Sequence, residues 1–287
     1  MTRYILALML LAGLMWAGCG TIPASVDEPQ GVPVVEPYSN TTFAVWLGLS
    51  VTKTPQHGLM ACDGADLDAY GMGADAHRAG VEYNAMLIDS AGRWSAWVDS
   101  IIGAGTRMAS NDLLCVGLST HGGQSVAHGD PTEPDGLNET VVYYDQVVED
   151  NRIGGVLASN LPPHSRLMIW SDTCHAESNW RDWPVVNKFV APRKITSPVI
   201  VDAPEFVAKN IQVIQIAMCA ASQSSYGDAE TGGIGTYTWR KTVEENPGLG
   251  LWPLFVKFWS AMPDDQKPVW TQSENVTDQF KYAVPFN

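Results

Sequence analysis

Leu113-Leu-Cys-Val-Gly-Leu-Ser-Thr-His-Gly-Gly123 and Arg166-Leu-Met-Ile-Trp-Ser-Asp-Thr-Cys-His175 decide how this chain folds. Each is an apolar run of strand length that ends in polar residues, the pattern of a strand buried on both faces. The first delivers His121 just past its end, and the second delivers Cys174 in the same way. In an open α/β sheet, ligands bind outside the carboxyl ends of the strands, so residues just past two such ends can share one crevice. A cysteine and a histidine placed there predict a thiolate nucleophile with its base.

Outward from these runs, the pattern predicts further strands over Phe43–Val51 and Val81–Ile88, near Val199, and over Ile211–Met218. Helices are predicted over Asp66–Ala79, Gly92–Met108, Asp150–Ser159 and Leu251–Ser260. In the third of these, Ile153, Val156 and Leu157 share a face at helical spacing, and Pro162-Pro163 end it. Strands alternating with helices give an α/β class with a mostly parallel central sheet of about six strands flanked by helices. No internal repeat interrupts residues 41–287, which are expected to form one domain.

The flanks of the two motifs resemble the caspase-like cysteine peptidases, and the metacaspase branch most closely. That family carries Ser-Gly-His-Gly-Gly and Asp-Ser-Cys-His-Ser-Gly, where this chain has Ser119-Thr120-His121-Gly122-Gly123 and Asp172-Thr173-Cys174-His175-Ala176-Glu177. Cys174 follows His121 by 53 residues, in line with a family histidine about 50 residues upstream of its cysteine. Glu133 to Glu139 is similar to the family's acidic Asp-Gly loop, and Asp150 to Pro163 to the helix before its cysteine strand. Toward the end, Gln215–Gln223 resembles the strand and turn that precede the family's substrate-binding loop, Gly232–Tyr237 its Gly-rich helix entry, and Gln266-Lys-Pro268 its Gln-x-Pro. The resemblance spans roughly Phe43 to Trp270, is specific only near the two motifs, and implies a caspase-like sandwich.

It also implies roles. Cys174 attacks as thiolate, His121 moves protons, and the backbone N–H groups of Gly122 and Cys174 form the oxyanion hole. Asp172, two positions before Cys174 and so on the same side of its strand, joins Ser119 in a pocket for an Arg or Lys side chain. A further pocket acid follows a cysteine at a three-residue offset in that family. Here Cys62 is followed by Asp63 and Asp66, neither at that offset, which leaves Asp66 as the candidate. Many metacaspases bind calcium, and the nearest carboxylates to theirs are Asp135, Glu149, Asp150 and Asp182. One departure stands beside the nucleophile: the family's glycine three residues after the cysteine is Glu177 here. His175 is expected on the other strand face, and His57, His77, His128 and His164 have no chemical context.

Ahead of this domain, Arg3, an apolar run from Tyr4 to Trp16, and Ala17-Gly18-Cys19 make residues 1–19 a signal-peptide pattern with a lipobox-like Cys19. Three fates stay open: lipidation at Cys19, simple secretion, or an uncleaved anchor. Either of the first two makes this a secreted or lipid-anchored protein of the cell envelope. Residues 20–40, with prolines at 23, 29, 33 and 37, read as an extended tether. A net charge of −14 argues against nucleic acid as partner and suits a basic peptide substrate. Contact with membrane is expected through the N-terminal anchor alone, and the domain is expected to be a monomer. The five cysteines include no Cys-x-x-Cys pair, so no structural zinc is expected, and because the nucleophile must stay reduced no structural disulfide is expected either.

The leading expectation is a cysteine endopeptidase cleaving after Arg or Lys, with self-cleavage in the basic loop Lys188–Lys194 as an extension of it. Two alternatives carry forward. The same dyad resolving its thioester with an amine would be a transpeptidase, and a caspase-like fold without activity would be a surface binding module.

Overall fold

Leu113–Ser119 and Arg166–Asp172 form adjacent parallel strands in the middle of a seven-stranded sheet. The computed structural model describes residues 41–54, 58–126, 137–174, 199–201, 204–220 and 223–285. In chain order these give β1 (Thr42–Gly48), β2 (Val51–Thr54), β3 (Gly58–Ala61), α1 (Ala65–Arg78), β4 (Tyr83–Ile88) and α2 (Trp94–Gly105). Then follow β5 (Leu113–Ser119), β6 (Gly122–Val126), β7 (Leu137–Val142), β8 (Val147–Glu149), α3 (Asp150–Asn160) and β9 (Arg166–Asp172). The chain ends with β10 (Val199–Val201), α4 (Pro204–Val207), β11 (Gln212–Ala217), β12 (Gly227–Asp228), β13 (Gly232–Gly233), α5 (Ile234–Glu245), α6 (Leu251–Ala261), β14 (Val269–Ser273) and α7 (Asp278–Lys281).

The main sheet runs β10-β14-β11-β9-β5-β1-β4, parallel except where β14 meets β11. This is the predicted α/β sandwich, with seven strands where the sequence led us to expect about six. The extra strand is β14, whose five residues Val-Trp-Thr-Gln-Ser offer little periodicity right after Pro268. β1 also stops earlier than expected, because Val51 leaves the sheet to pair with Ala61 in a separate β2–β3 hairpin. A second small sheet, β6-β7-β8, caps the carboxyl end of β5.

Alternation along the strands explains why every residue of β5 and β9 is buried. Val45, Val116, Leu118, Leu167 and Ile169 turn to one face, where Trp97 and Ile101 of α2 and Ile153 of α3 cover them. Ala44, Trp46, Cys115, Met168 and Trp170 turn to the other, under Met72 of α1, Trp239 of α5 and Phe255 of α6. Both faces of a parallel sheet are thus closed by helices. Trp97 is fully buried, stacked on Trp94 at 5.2 Å and edge-on to Tyr143 at 5.8 Å. Trp97→Ala is expected to cost about 3–5 kcal/mol, measured as a lower urea midpoint at unchanged slope.

Several expectations fall outside the described residues: the leader and tether of residues 1–40, the basic loop Lys188–Lys194, and Asp135, Asp182, Glu177, His57, His128 and His175. Among the described residues no helix is long and apolar enough to cross a membrane.

Candidate active site

Register builds the site. Ser119, the last residue of β5, lies opposite Asp172, the last residue of β9. His121 and Cys174 each come two residues later, so both leave the sheet at the same edge and at the same height. They line one cleft of about 300 Å³ together with Cys62, Asp63, Asp68, Ser119, Asp172, Ser225 and Tyr226.

Two carboxylates form its floor. Asp68 reaches it from the first turns of α1, where its Oδ2 accepts the Ser119 hydroxyl at 2.6 Å and its Oδ1 accepts the Gly233 N–H at 2.9 Å. Asp172 Oδ2 accepts the backbone N–H and the hydroxyl of Thr236, at 3.0 and 2.7 Å, while Oδ1 accepts the Ser225 hydroxyl. Gly233 lies between the two groups. A methyl there would strike Asp172 Oδ2 and come within 2.8 Å of Asp68 Oδ2, so close approach demands glycine.

Both side chains are buried, and among the described residues no Lys or Arg forms an ion pair with either. Burial raises the Asp68 carboxyl well above the usual carboxylate range, and the nearby charge of Asp172 raises it further. Asp172 is also raised by burial, held back by its bonds from Ser225 and Thr236. Arg240 lowers Asp68 from a distance while paired with Asp75, and a buried carboxylate pair with no ion-pair partner among the described residues is a place where a cationic side chain gains most.

Above the floor, His121 Nε2 sits 2.6 Å from the carbonyl oxygen of Ala61. A carbonyl only accepts, so Nε2 carries the proton and Nδ1 holds the free lone pair. Cys174 Sγ lies 4.0 Å from the Ser225 carbonyl, with no described hydrogen bond to His121. Such pairs are often loose without substrate and tighten in the reactive complex. Gly122 packs so closely that a side chain there would strike the Cys174 carbonyl, which keeps the backbones flanking the thiol side by side. Burial first, then the charges of Asp172, Cys174, Asp68 and Asp63, push the Cys62 thiol up to about 12. Cys62 is therefore a neutral wall of the cleft, while Cys219 is buried with its thiol donating to the Thr173 and Gln223 carbonyls.

The fold is shared with a solved structure. Protein GSU0716 from Geobacter sulfurreducens is 22% identical, matches 86% of this chain and 98% of its own, and superposes with a TM-score of 0.67. Caspase-1 from Spodoptera frugiperda is 11% identical over 84% of this chain and 89% of its own, with a TM-score of 0.48. No protein-family model matches this chain, and no curated protein matches it.

The structure thus gathers His121, Cys174, Asp172 and Ser119 around one cleft, with Gly122 packed against Cys174. It turns Asp66 away, with its carboxylate taken by the Ser50 hydroxyl, and brings Asp68 to the floor in its place. Sequence carried a signal for that exchange. Ala65, Asp68, Ala69, Met72 and Ala76 share the buried face of α1, and an acid inside such a stripe calls for a reason. Ser225, Thr236 and the Ala61 carbonyl had no comparable signal, since they act through backbone or through common hydroxyls. Of the carboxylates named for calcium, Glu149 accepts the Ser125 hydroxyl at 3.1 Å and Asp150 is buried at the start of α3. Among the described residues no group of three or more His, Cys, Asp or Glu could hold a metal ion. The described residues alone do not fit such a site, and no step below passes through one.

Proposed function

We propose that this protein is a cysteine endopeptidase that cleaves peptide bonds after Arg or Lys. The observation that carries this reading is the pair Asp68 and Asp172, without an ion-pair partner among the described residues, on the floor of the cleft lined by Cys174 and His121. A basic side chain entering the cleft meets two carboxylates already oriented by five donors, so little reorganisation is needed. The same filling would be poor for an acidic side chain, which would set one more acid against Asp68 and Asp172.

The chemistry follows from the dyad. His121 Nδ1 takes the thiol proton as Cys174 Sγ bonds to the scissile carbonyl carbon, and the carbonyl oxygen becomes an oxyanion beside the N–H groups of Gly122 and Cys174. The C–N bond breaks as His121 returns that proton to the leaving amine, which departs and leaves a thioester. Water then attacks, giving a proton to His121, and the thiol is regenerated as the acid product leaves. Ala61 holds the imidazole in the required tautomer throughout.

Residues 41–287 with fluorogenic peptides ending in Arg, Lys, Asp or Leu, each with and without calcium, test the reading. Cleavage of the Arg and Lys peptides, at least 100-fold over Asp, is expected. A folded protein silent on every peptide would sink it in favour of a binding module. Full activity in a chelator would remove calcium as a requirement.

A further inference from the structure

We infer that Gln266 is a positioning residue for the specificity pocket: its side-chain amide fixes the hydroxyl proton of Ser225 on Asp172 and so holds that carboxylate as an acceptor. The inference rests on the proposed role of Asp172 and assigns the group that orients it. Gln266 is completely buried, between α6 and β14, and touches neither the cleft nor the reacting atoms.

Its amide has one orientation. The backbone N–H of Tyr226 donates to Oε1 at 3.0 Å, and a backbone N–H can only donate. Nε2 therefore faces the other way, where it donates to Ser225 Oγ at 3.0 Å and to the Met218 carbonyl at 3.4 Å. With that N–H aimed at its oxygen, Ser225 cannot give its own proton to Gln266. The remaining acceptor is Asp172 Oδ1, which receives it. The polarity runs one way, from Gln266 through Ser225 to Asp172, and each link is set by the one before.

A second feature makes the relay specific to the pocket. The other oxygen of Asp172 is filled by Thr236 from α5, so Ser225 is the donor that keeps Oδ1 ready for a charged partner. Facing Asp172 are Asp68 from α1, Cys62 from the turn before it, and Cys174 and His121 at the cleft rim. Arg240 of α5 is held by Asp75, at 2.7 Å from Nε. Lys267, next to Gln266, points away to the Met262 and Trp259 carbonyls and to Asp264. None of these groups replaces the Ser225 proton on Oδ1.

The test reads Asp172 directly. Protein carrying ¹³C-labelled aspartate is titrated by NMR, with the Asp172 carboxyl assigned from the Asp172→Asn spectrum, in wild type, Ser225→Ala, Gln266→Met and the double variant. Loss of the relay is expected to raise the Asp172 midpoint by about one pH unit in each single variant, with no further rise in the double. An unmoved midpoint in Ser225→Ala, or in a folded Gln266→Met, would overturn the inference, as would single effects that add in the double. If Gln266→Met does not fold, Gln266→Asn, too short to reach Ser225, is read the same way. Because this readout needs no turnover, an enzyme inactive on every peptide leaves the relay result standing and counts against the function alone. In an active enzyme the acid limb of kcat/KM for an Arg peptide moves with the midpoint, and in Gln266→Met kcat at saturating substrate stays within about twofold.

Discussion

Cys174→Ala is expected to lower kcat/KM on an Arg peptide by a factor on the order of 10⁴ or more while leaving the fold intact, and His121→Ala is expected to do nearly the same. Residues that act as a unit are grossly non-additive, so the double variant should be little worse than either single one. The geometry gives the reason. Each residue depends on the Ser119–Asp172 register for its place at the sheet edge. Cys62 lines the same cleft but is no reserve nucleophile, because a thiol pushed up to about 12 leaves roughly one molecule in 10⁵ as thiolate at neutral pH. A Cys174→Ala protein that kept more than a few per cent of the activity would show that another group attacks. Additive losses in the double variant would instead show that His121 and Cys174 do not share one step.

Much of this arrangement is legible from residue order alone. Two apolar runs with nothing polar inside them demand helices on both faces of a sheet, and their ends name the reactive pair. What the order cannot show is the register between β5 and β9, because a parallel pairing fixed by tertiary packing has no local code. A slip of one position would put Asp172 opposite Leu118 and turn its carboxylate onto the other face. Asp68 was hidden for a related reason. Its neighbour Asp66 lies nearer to the strand end in sequence, yet helical periodicity carries Asp66 round to Ser50 and Asp68 onto the buried face beside Ala65 and Ala69. Gln266 could be seen as part of a motif, but its bonds to Tyr226, Ser225 and Met218 bring together segments some forty residues apart. The β14 strand escaped because five residues after a proline carry too short a pattern to separate from loop.

Asp172→Asn is expected to reduce kcat/KM for Arg and Lys peptides by about 10²–10³, the scale of removing one charged partner from a buried pair. Asp68→Asn is expected to lose about tenfold less and to stabilise the protein. The sign follows from linkage. Asp68 has a folded-state pKa raised by burial first and by Asp172 second, so the folded protein holds this proton at pH values where the unfolded chain has released it. The stability contributed by the neutral carboxyl is complete below the ordinary carboxylate value near 4 and is lost as pH rises through the higher folded value. Asparagine cannot ionise, and its carbonyl can still accept the Gly233 N–H that Asp68 accepts at 2.9 Å. The gain in Tm for Asp68→Asn should therefore be near zero at pH 4 and grow as pH rises above it. A Tm that falls by the same amount at every pH would mean that the carboxylate serves only as a hydrogen-bond acceptor for Ser119 and Gly233. Stability gained together with basic-substrate activity lost would mean that the two charges are kept buried, at a cost to the fold, for the cation that enters between them.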